Sequence, residues 1–284
     1  MPIEHTPQIK HQPSFLVHLT AEEYKGIVDN GKVPTPSAAK TYFLETAIKI
    51  LKYTAGGFFL LTVGFIANYA FRPNAKHLAW ILASALCYIG SSSASTPIRT
   101  QLQHNEMLTK LASKMTLGEK TAEKNLEGIA SFWELRVQET KAELDKIPSF
   151  FPDPEITTKV FEKSIQNKYF QLNAAFYRAQ AEAGNANIRY KRFDDFFIFI
   201  MPNHEAFRDS MTVSYFASKP TQFIAVHPEL DKLFTQESDR QTFFNKSLAI
   251  AAQCFLPAQP DTQNPPKPLK DQFVELLQLV PTKT

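Results

Sequence analysis

YTAGGFFLLTVGFIANYAFRPNAKHLAWILASALCYIGSSSAS, residues 53–95, holds two apolar runs joined by the turn Arg72-Pro73-Asn74-Ala75-Lys76. No charged residue lies between Lys52 and Arg72. As a helix that run crosses the ~30 Å hydrocarbon core of a bilayer. Phe58, Phe59, Leu60, Leu61, Val63, Phe65, Ile66 and Phe71 each favour insertion by roughly 0.3–0.6 kcal/mol, about 2.5–5 kcal/mol together, which has to outweigh Asn68 and the glycines. The second run is weaker. Its large apolar residues are Leu78, Trp80, Ile81, Leu82, Leu86 and Ile89, and it ends in Gly90 and a string of serines. It inserts as the partner of the first run. Ala79, Ala83, Cys87 and Gly90 recur at helical spacing, and Gly57 and Gly64 offer a matching flat strip, so these six are the expected contact residues of a membrane hairpin. Tyr53, Tyr69, Trp80 and Tyr88 supply interfacial anchors.

Working outward, the short turn puts Lys52 and Arg99 on one side. Lys40, Lys49, Lys52, Arg99, Lys110 and Lys114 outnumber Arg72 and Lys76, so both termini are expected in the cytosol. A buried hairpin of a soluble helical protein and a shallow re-entrant hairpin are the competing readings. The chain has 284 residues and a net charge of +3, too small a charge to argue for nucleic acid. Two cysteines, Cys87 and Cys254, make neither a disulfide framework nor a metal motif and fit a reducing compartment. The start, residues 1–13, has no apolar core of a signal peptide.

Upstream, Thr20-Ala21-Glu22-Glu23 predicts a capping box, with Asn30-Gly31 as the stop of a short helix. Thr35 with Pro36 predicts the start of a helix that continues into the first apolar run. Downstream, Pro97 marks a start and the chain reads helical to Ile147, weakened at Gly118 and Gly128. Pro148–Pro152 is a turn. Asp153-Pro154-Glu155 starts a second long helix that runs to Ala183 and stops at Gly184. Two such helices predict an antiparallel, coiled-coil-like stalk. From Asn187 the period changes to that of strands, at 188–193, 196–201, 211–217 and 222–226. Helices follow at 228–234 and 238–255, then a proline-rich loop at 257–268 and a last helix. The expected fold is mainly α with a small α+β domain. Its parts are an N-terminal segment with a short helix (1–35), a juxtamembrane helix and transmembrane helical hairpin (36–98), a long antiparallel helical pair (99–186) and a C-terminal α+β domain (187–284).

Candidate chemistry is sparse. His204, Glu205 and His227 are the nearest thing to a metal site, short of the three or four ligands zinc needs. Adjacent Asp194 and Asp195 face opposite ways in an extended chain and read as a turn between strands. Arg189, Lys191 and Arg192 form the most basic patch, suited to anionic lipid or to plain solvation. No phosphate loop, nucleophile elbow or Cys/His pair is present. No cofactor is expected.

Asn203, Ala206 and Phe207, then Phe223-Ile224-Ala225-Val226 followed by Leu230, Leu233 and Thr235, resemble the core of the membrane zinc metallopeptidases that include the bacterial heat-shock membrane protease and the CAAX prenyl protease. That family requires His-Glu-x-x-His on a helix, and this chain has Asn245-Lys246-Ser247-Leu248-Ala249 there. The resemblance, over about sixty residues, therefore implies a non-catalytic relative and carries over no functional residue. In composition and layout the chain also resembles type IV-secreted effectors of intracellular bacteria: rich in Lys, Gln and Phe, with a membrane hairpin, long helices and Phe273-Val274-Glu275-Leu276-Leu277 near the end. The functional expectation is an integral membrane protein whose partners are the lipid bilayer and a protein in the cytosol, with homo-oligomers compatible and no nucleic acid. A membrane-bound hydrolase and a subunit of a membrane complex are the alternatives.

Overall fold

The computed structural model describes residues 19–115, 121–147, 154–199, 224–255 and 267–281. They are mainly helical and divide into two compact units, 34–110 and the rest of the chain.

The first unit contains two long helices, α2 (Ala38–Phe71) and α3 (Ala75–Ala112). Ser37, without a side-chain cap bond, precedes α2, two residues beyond the expected Thr35. Pro97 stands inside α3 instead of starting it, which removes one bond from the helical ladder. The helices run in opposite directions. Asn68 meets His77, Phe65 stacks on Trp80 at 6.1 Å, Thr62 meets Ser84, Phe59 meets Tyr88 at 5.9 Å, and Asn105 reaches Thr41.

The other unit begins with α1 (Ala21–Asn30). Its capping box forms as the sequence predicts: the Glu23 amide donates to Thr20 Oγ1 at 3.2 Å and Glu23 accepts from the Thr20 amide at 2.9 Å. Gly31 closes the helix at φ 60°, a conformation that favours glycine. Tyr24, Ile27 and Val28 are its buried face. The expected continuous helix to Ile147 is instead the end of α3 and α4 (Ala122–Leu144). Gly128 is buried within α4 because Met115 packs on it; an added Cβ would lie 2.8 Å from Met115 Sδ. Helix α5 (Pro154–Ala183) ends at Gly184, φ 60°, as expected.

Helices α4 and α5 are antiparallel. Arg178 forks onto Glu134 with two bonds of 2.9 Å, Asn167 donates to Val137 O and Thr140 Oγ1, and Lys163 pairs with Glu143. Trp133 fills the space between them against Tyr169 and Phe170. The pair does not stand alone. Asn125 donates to Val28 O and so ties α1 to α4, and Phe273 of α8 (Leu269–Gln278) packs edge-on against Phe176 of α5 at 5.8 Å.

Residues 188–193, expected as a strand, form turns that lead into a one-turn helix, α6 (Phe193–Phe196). The reason is Asp195, which accepts from the Arg192 amide at 2.8 Å and so favours a helical start over extension. Phe197–Phe199 (β1) then pairs antiparallel with Ile224–Val226 (β2), in the register Phe197↔Val226. A 3₁₀ turn (Pro228–Leu233) and α7 (Glu237–Phe255) follow. Phe176, Phe193, Phe196, Phe243 and Phe273 are all buried and in ring contact, and they form the core of this unit. The expected strand 211–217, the turn 148–152, Gly118 and most of the proline-rich loop lie outside the described residues.

Candidate functional site

Two places concentrate unusual chemistry, the apolar helix pair and the corner at residues 189–196. Each is described within its own unit.

In the helix pair, a row of shielded side chains recurs at steps of four and three. On α2 the row is Leu44, Ile48, Leu51, Ala55, Phe58, Thr62 and Phe65, with Thr41, Thr46 and Ala47 also half-buried near its start. On α3 the half-buried or buried positions include His77, Ile81, Ser84, Ser91, Ser95, Ile98, Leu102 and Asn105. This spacing is that of a seam along which two helices pack side by side. Small and polar residues bring the backbones together in its middle. Ser84 Oγ donates to Ile81 O at 3.1 Å and accepts from Thr62 Oγ1 at 2.8 Å. At the closed end Asn68 Nδ2 donates to His77 Nε2 at 3.3 Å, and His77 Nδ1 donates to Arg72 O at 3.1 Å. At the open end Asn105 donates to Thr41 Oγ1 at 3.2 Å while accepting from Gln101. Hydrogen-bonded pairs at three heights allow only one register.

Gly57, Gly64, Ala79, Ala83, Cys87 and Gly90 are all exposed and off this seam. A Cβ added at Gly57, Gly64 or Gly90 would meet nothing within 4 Å. Both faces of α2 are apolar, so hydrophobicity alone could not say which one α3 covers. The spacing of Thr62, Ser84 and Asn105 carried that signal. Gly57, Gly64, Leu61 and Asn68 line a shallow groove of about 400 Å³ on the outer face of α2.

Both helices are long and apolar enough to cross a membrane. Their large side chains remain uncovered: Leu60 is 69% exposed, Leu86 68% and Trp80 59%. A core helix of a soluble protein would bury such residues.

The corner at 189–196 is built from buried phenols and ion pairs. Tyr24 donates to Gln180 Oε1 at 2.9 Å, Tyr169 donates to Asp194 Oδ1 at 3.0 Å, and Tyr177 Oη accepts from the Phe193 amide at 3.2 Å. Burial pushes all three phenols above the ordinary tyrosine range. Tyr177 adds to this for Tyr24, and Asp194 adds to it for the other two. All three therefore stay protonated. Burial also disfavours the charged Asp195, but the hydrogen bonds and charge of Arg192 outweigh it and hold the carboxyl below its ordinary value. The two aspartates serve different partners, so they form no acid–base pair.

The basic patch is mostly consumed within the fold. Arg189 pairs with Glu123 at 3.2 Å, and Arg192 binds Asp195 at 2.6 Å and Leu19 O at 2.7 Å. Lys191 offers its carbonyl to Gln180. His227 donates its amide to Phe196 O at 2.7 Å and accepts from the Leu230 amide, the position of a cap on the 3₁₀ turn. His204 and Glu205 lie outside the described residues. Among the described residues no three His, Cys, Asp or Glu side chains could hold a metal ion together. Burial pushes the Cys254 thiol up to about 11, which keeps it an unreactive thiol. A depression of about 520 Å³ between α4, α5 and α8 is walled by the Arg178–Glu134 pair and by Lys270, which is itself paired with Glu182. No protein-family model matches the chain, and no curated protein or solved structure matches it either.

Proposed function

We propose that this protein is a membrane-anchored interaction protein. Helices α2 and α3 act as one transmembrane hairpin with both flanks in the cytosol, and the C-terminal α+β region (187–284), held on the α4–α5 pair, is presented to a protein partner. The observation that carries the anchor is the exposure of the apolar side chains on helices of 34 and 38 residues. Uncovered in water, the exposed half or more of Phe59, Leu60, Leu61, Ile66, Leu82, Leu86 and Ile89 would forgo about 1–2 kcal/mol of burial each. A bilayer covers them without any further protein. The polar contacts of the seam fit this setting too, since Thr62 and Ser84 turn their hydroxyls toward each other. What supports the interaction role, among the described residues, is that Arg189, Arg192, Asp194 and Asp195 of the corner are engaged with partners inside the fold. The layout suits an effector that works at a host membrane.

The test of the anchor is alkaline carbonate extraction of membranes carrying the full chain. An integral hairpin stays in the pellet, and recovery of the chain in the supernatant would sink the reading. Fusing reporters at each terminus tests orientation: both are expected to read cytosolic.

A further inference from the structure

Helix α2 carries a second apolar stripe, opposite the one that α3 covers. It runs through Phe43, Ile50, Tyr53, Gly57, Leu60, Gly64 and Phe71, again at steps of three and four and their sums. These residues are exposed: Phe43 is 71% uncovered, Ile50 60% and Tyr53 82%, and Tyr42, flanking the stripe beside Phe43, is 72% uncovered. On the anchor reading, which this inference rests on, lipid covers the stripe only from about Tyr53 onward. Lys40, Glu45, Lys49 and Lys52 keep the preceding turns of α2 out of the hydrocarbon. Tyr42, Phe43 and Ile50 therefore form an apolar face in water, directly above the bilayer, with no lipid tails to bury it.

We propose that this face is covered by a second copy of the same chain, through a parallel α2–α2 contact. A shared insertion topology makes the two α2 helices parallel, and a two-fold axis along the membrane normal places each stripe residue opposite itself. The stripe suits this arrangement. It contains no charge, so no layer pairs like charges. The flanking Lys49 would face Thr54 of the other copy, because side positions in a parallel pair meet five residues on. Gly57 and Gly64 face their counterparts and allow close approach inside the bilayer. The area is adequate as well. Tyr42, Phe43, Tyr53 and Phe71 hold on the order of 450–750 Å² of uncovered aromatic surface per copy. A stable interface uses about 800 Å² per partner, and Ile50 and Leu60 bring the total to that range.

The experiment is a cysteine scan of the full chain in membranes. In a Cys87→Ser background, leaving buried Cys254 in place, single cysteines at Phe43, Ile50, Tyr53 and Gly57 are compared with Lys52→Cys and Ala55→Cys under mild oxidation. The contact predicts a shift of the band to twice the monomer mass at the four stripe positions and none at the two controls. A monomer band at every position overturns the proposal, whether lipid or another protein covers the stripe, and so does equal cross-linking at all six. A second variant guards against misfolding: Ile50→Arg should abolish the cross-link at Gly57→Cys while the chain remains carbonate-resistant. Carbonate extraction of the same samples separates the two readings. Retention in the pellet without cross-linking sinks the pair and leaves the anchor. Release with periodic cross-linking sinks the anchor.

Discussion

Tyr24 and Tyr169 hold the corner at 189–196 by hydrogen bonds that only the protonated phenol donates, and Tyr177, which accepts from the Phe193 amide, is kept neutral by burial. Their folded values lie above the ordinary tyrosine value of about 10, so the unfolded chain loses these protons first as the pH rises. Stability from these groups is complete below pH ~10 and declines above it. Denaturant titration in detergent between neutral pH and about 11 should show the midpoint fall, and Tyr177→Phe should reduce the slope. Asp195 works in the opposite direction. Its carboxyl is held low by Arg192, so its contribution is present above pH ~4 and lost as the pH falls through the lower folded value. Asp195→Asn is expected to cost about 1–2 kcal/mol at neutral pH, since the pair is partly exposed. A loss that persisted undiminished at acid pH would point to another cause.

At the scale of the element, the seam between α2 and α3 depends on Ser84 being small. Ser84 is 5% exposed and touches Thr62, so a larger side chain has no room. Ser84→Leu should destabilise the helix pair by about 1–3 kcal/mol, and Ser84→Ala by only about 0.6 kcal/mol. Ala83→Leu, one position away on an exposed face, should be nearly neutral. Unfolding in mixed micelles, followed by helical signal, ranks the three. Equal effects at 83 and 84 would place the seam elsewhere. Helix α4 offers a matching contrast at Gly128, where Met115 Sδ occupies the space of a side chain and Gly128→Leu should again cost about 1–3 kcal/mol.

For the whole molecule, the division into 34–110 and the remainder has a direct consequence. Among the described residues the rings around Phe176 are those of Tyr177, Phe193, Phe196, Phe197 and Phe273, all of its own unit. Replacing residues 34–110 by a long flexible linker should therefore yield a helical protein that needs no detergent and unfolds cooperatively. Aggregation of that variant, with the full chain well folded in detergent, would mean that the helix pair is required for the core. Phe176→Ala in the same background should cost about 3–5 kcal/mol, because the ring is fully buried among those of Tyr177, Phe193, Phe196, Phe197 and Phe273.

The local signals of this chain stood in its residues one by one. Thr20 with Glu23, Gly31 and Gly184 set helix ends by contacts within a few residues, and the uncharged run from Lys52 to Arg72 set the apolar helices by composition. Such features depend on near neighbours in the chain, so they survive reading without a fold. Other features depended on contacts distant in the chain. Both faces of α2 are apolar, and which one meets α3 was decided by Thr62 meeting Ser84 and Asn105 meeting Thr41. Residues 188–193 have strand-like alternation, yet Gln180, Tyr177 and Asp195 draw their backbone into turns and a single helical turn. The charges of Arg189 and Arg192 looked available for a partner until the fold placed Glu123 and Asp195 against them. By itself the sequence determined the helix ends set by local caps, at Thr20, Gly31 and Gly184, and how apolar the helices are. Tertiary structure decided which faces are covered, because burial and pairing are properties of groups brought together from far apart in the chain.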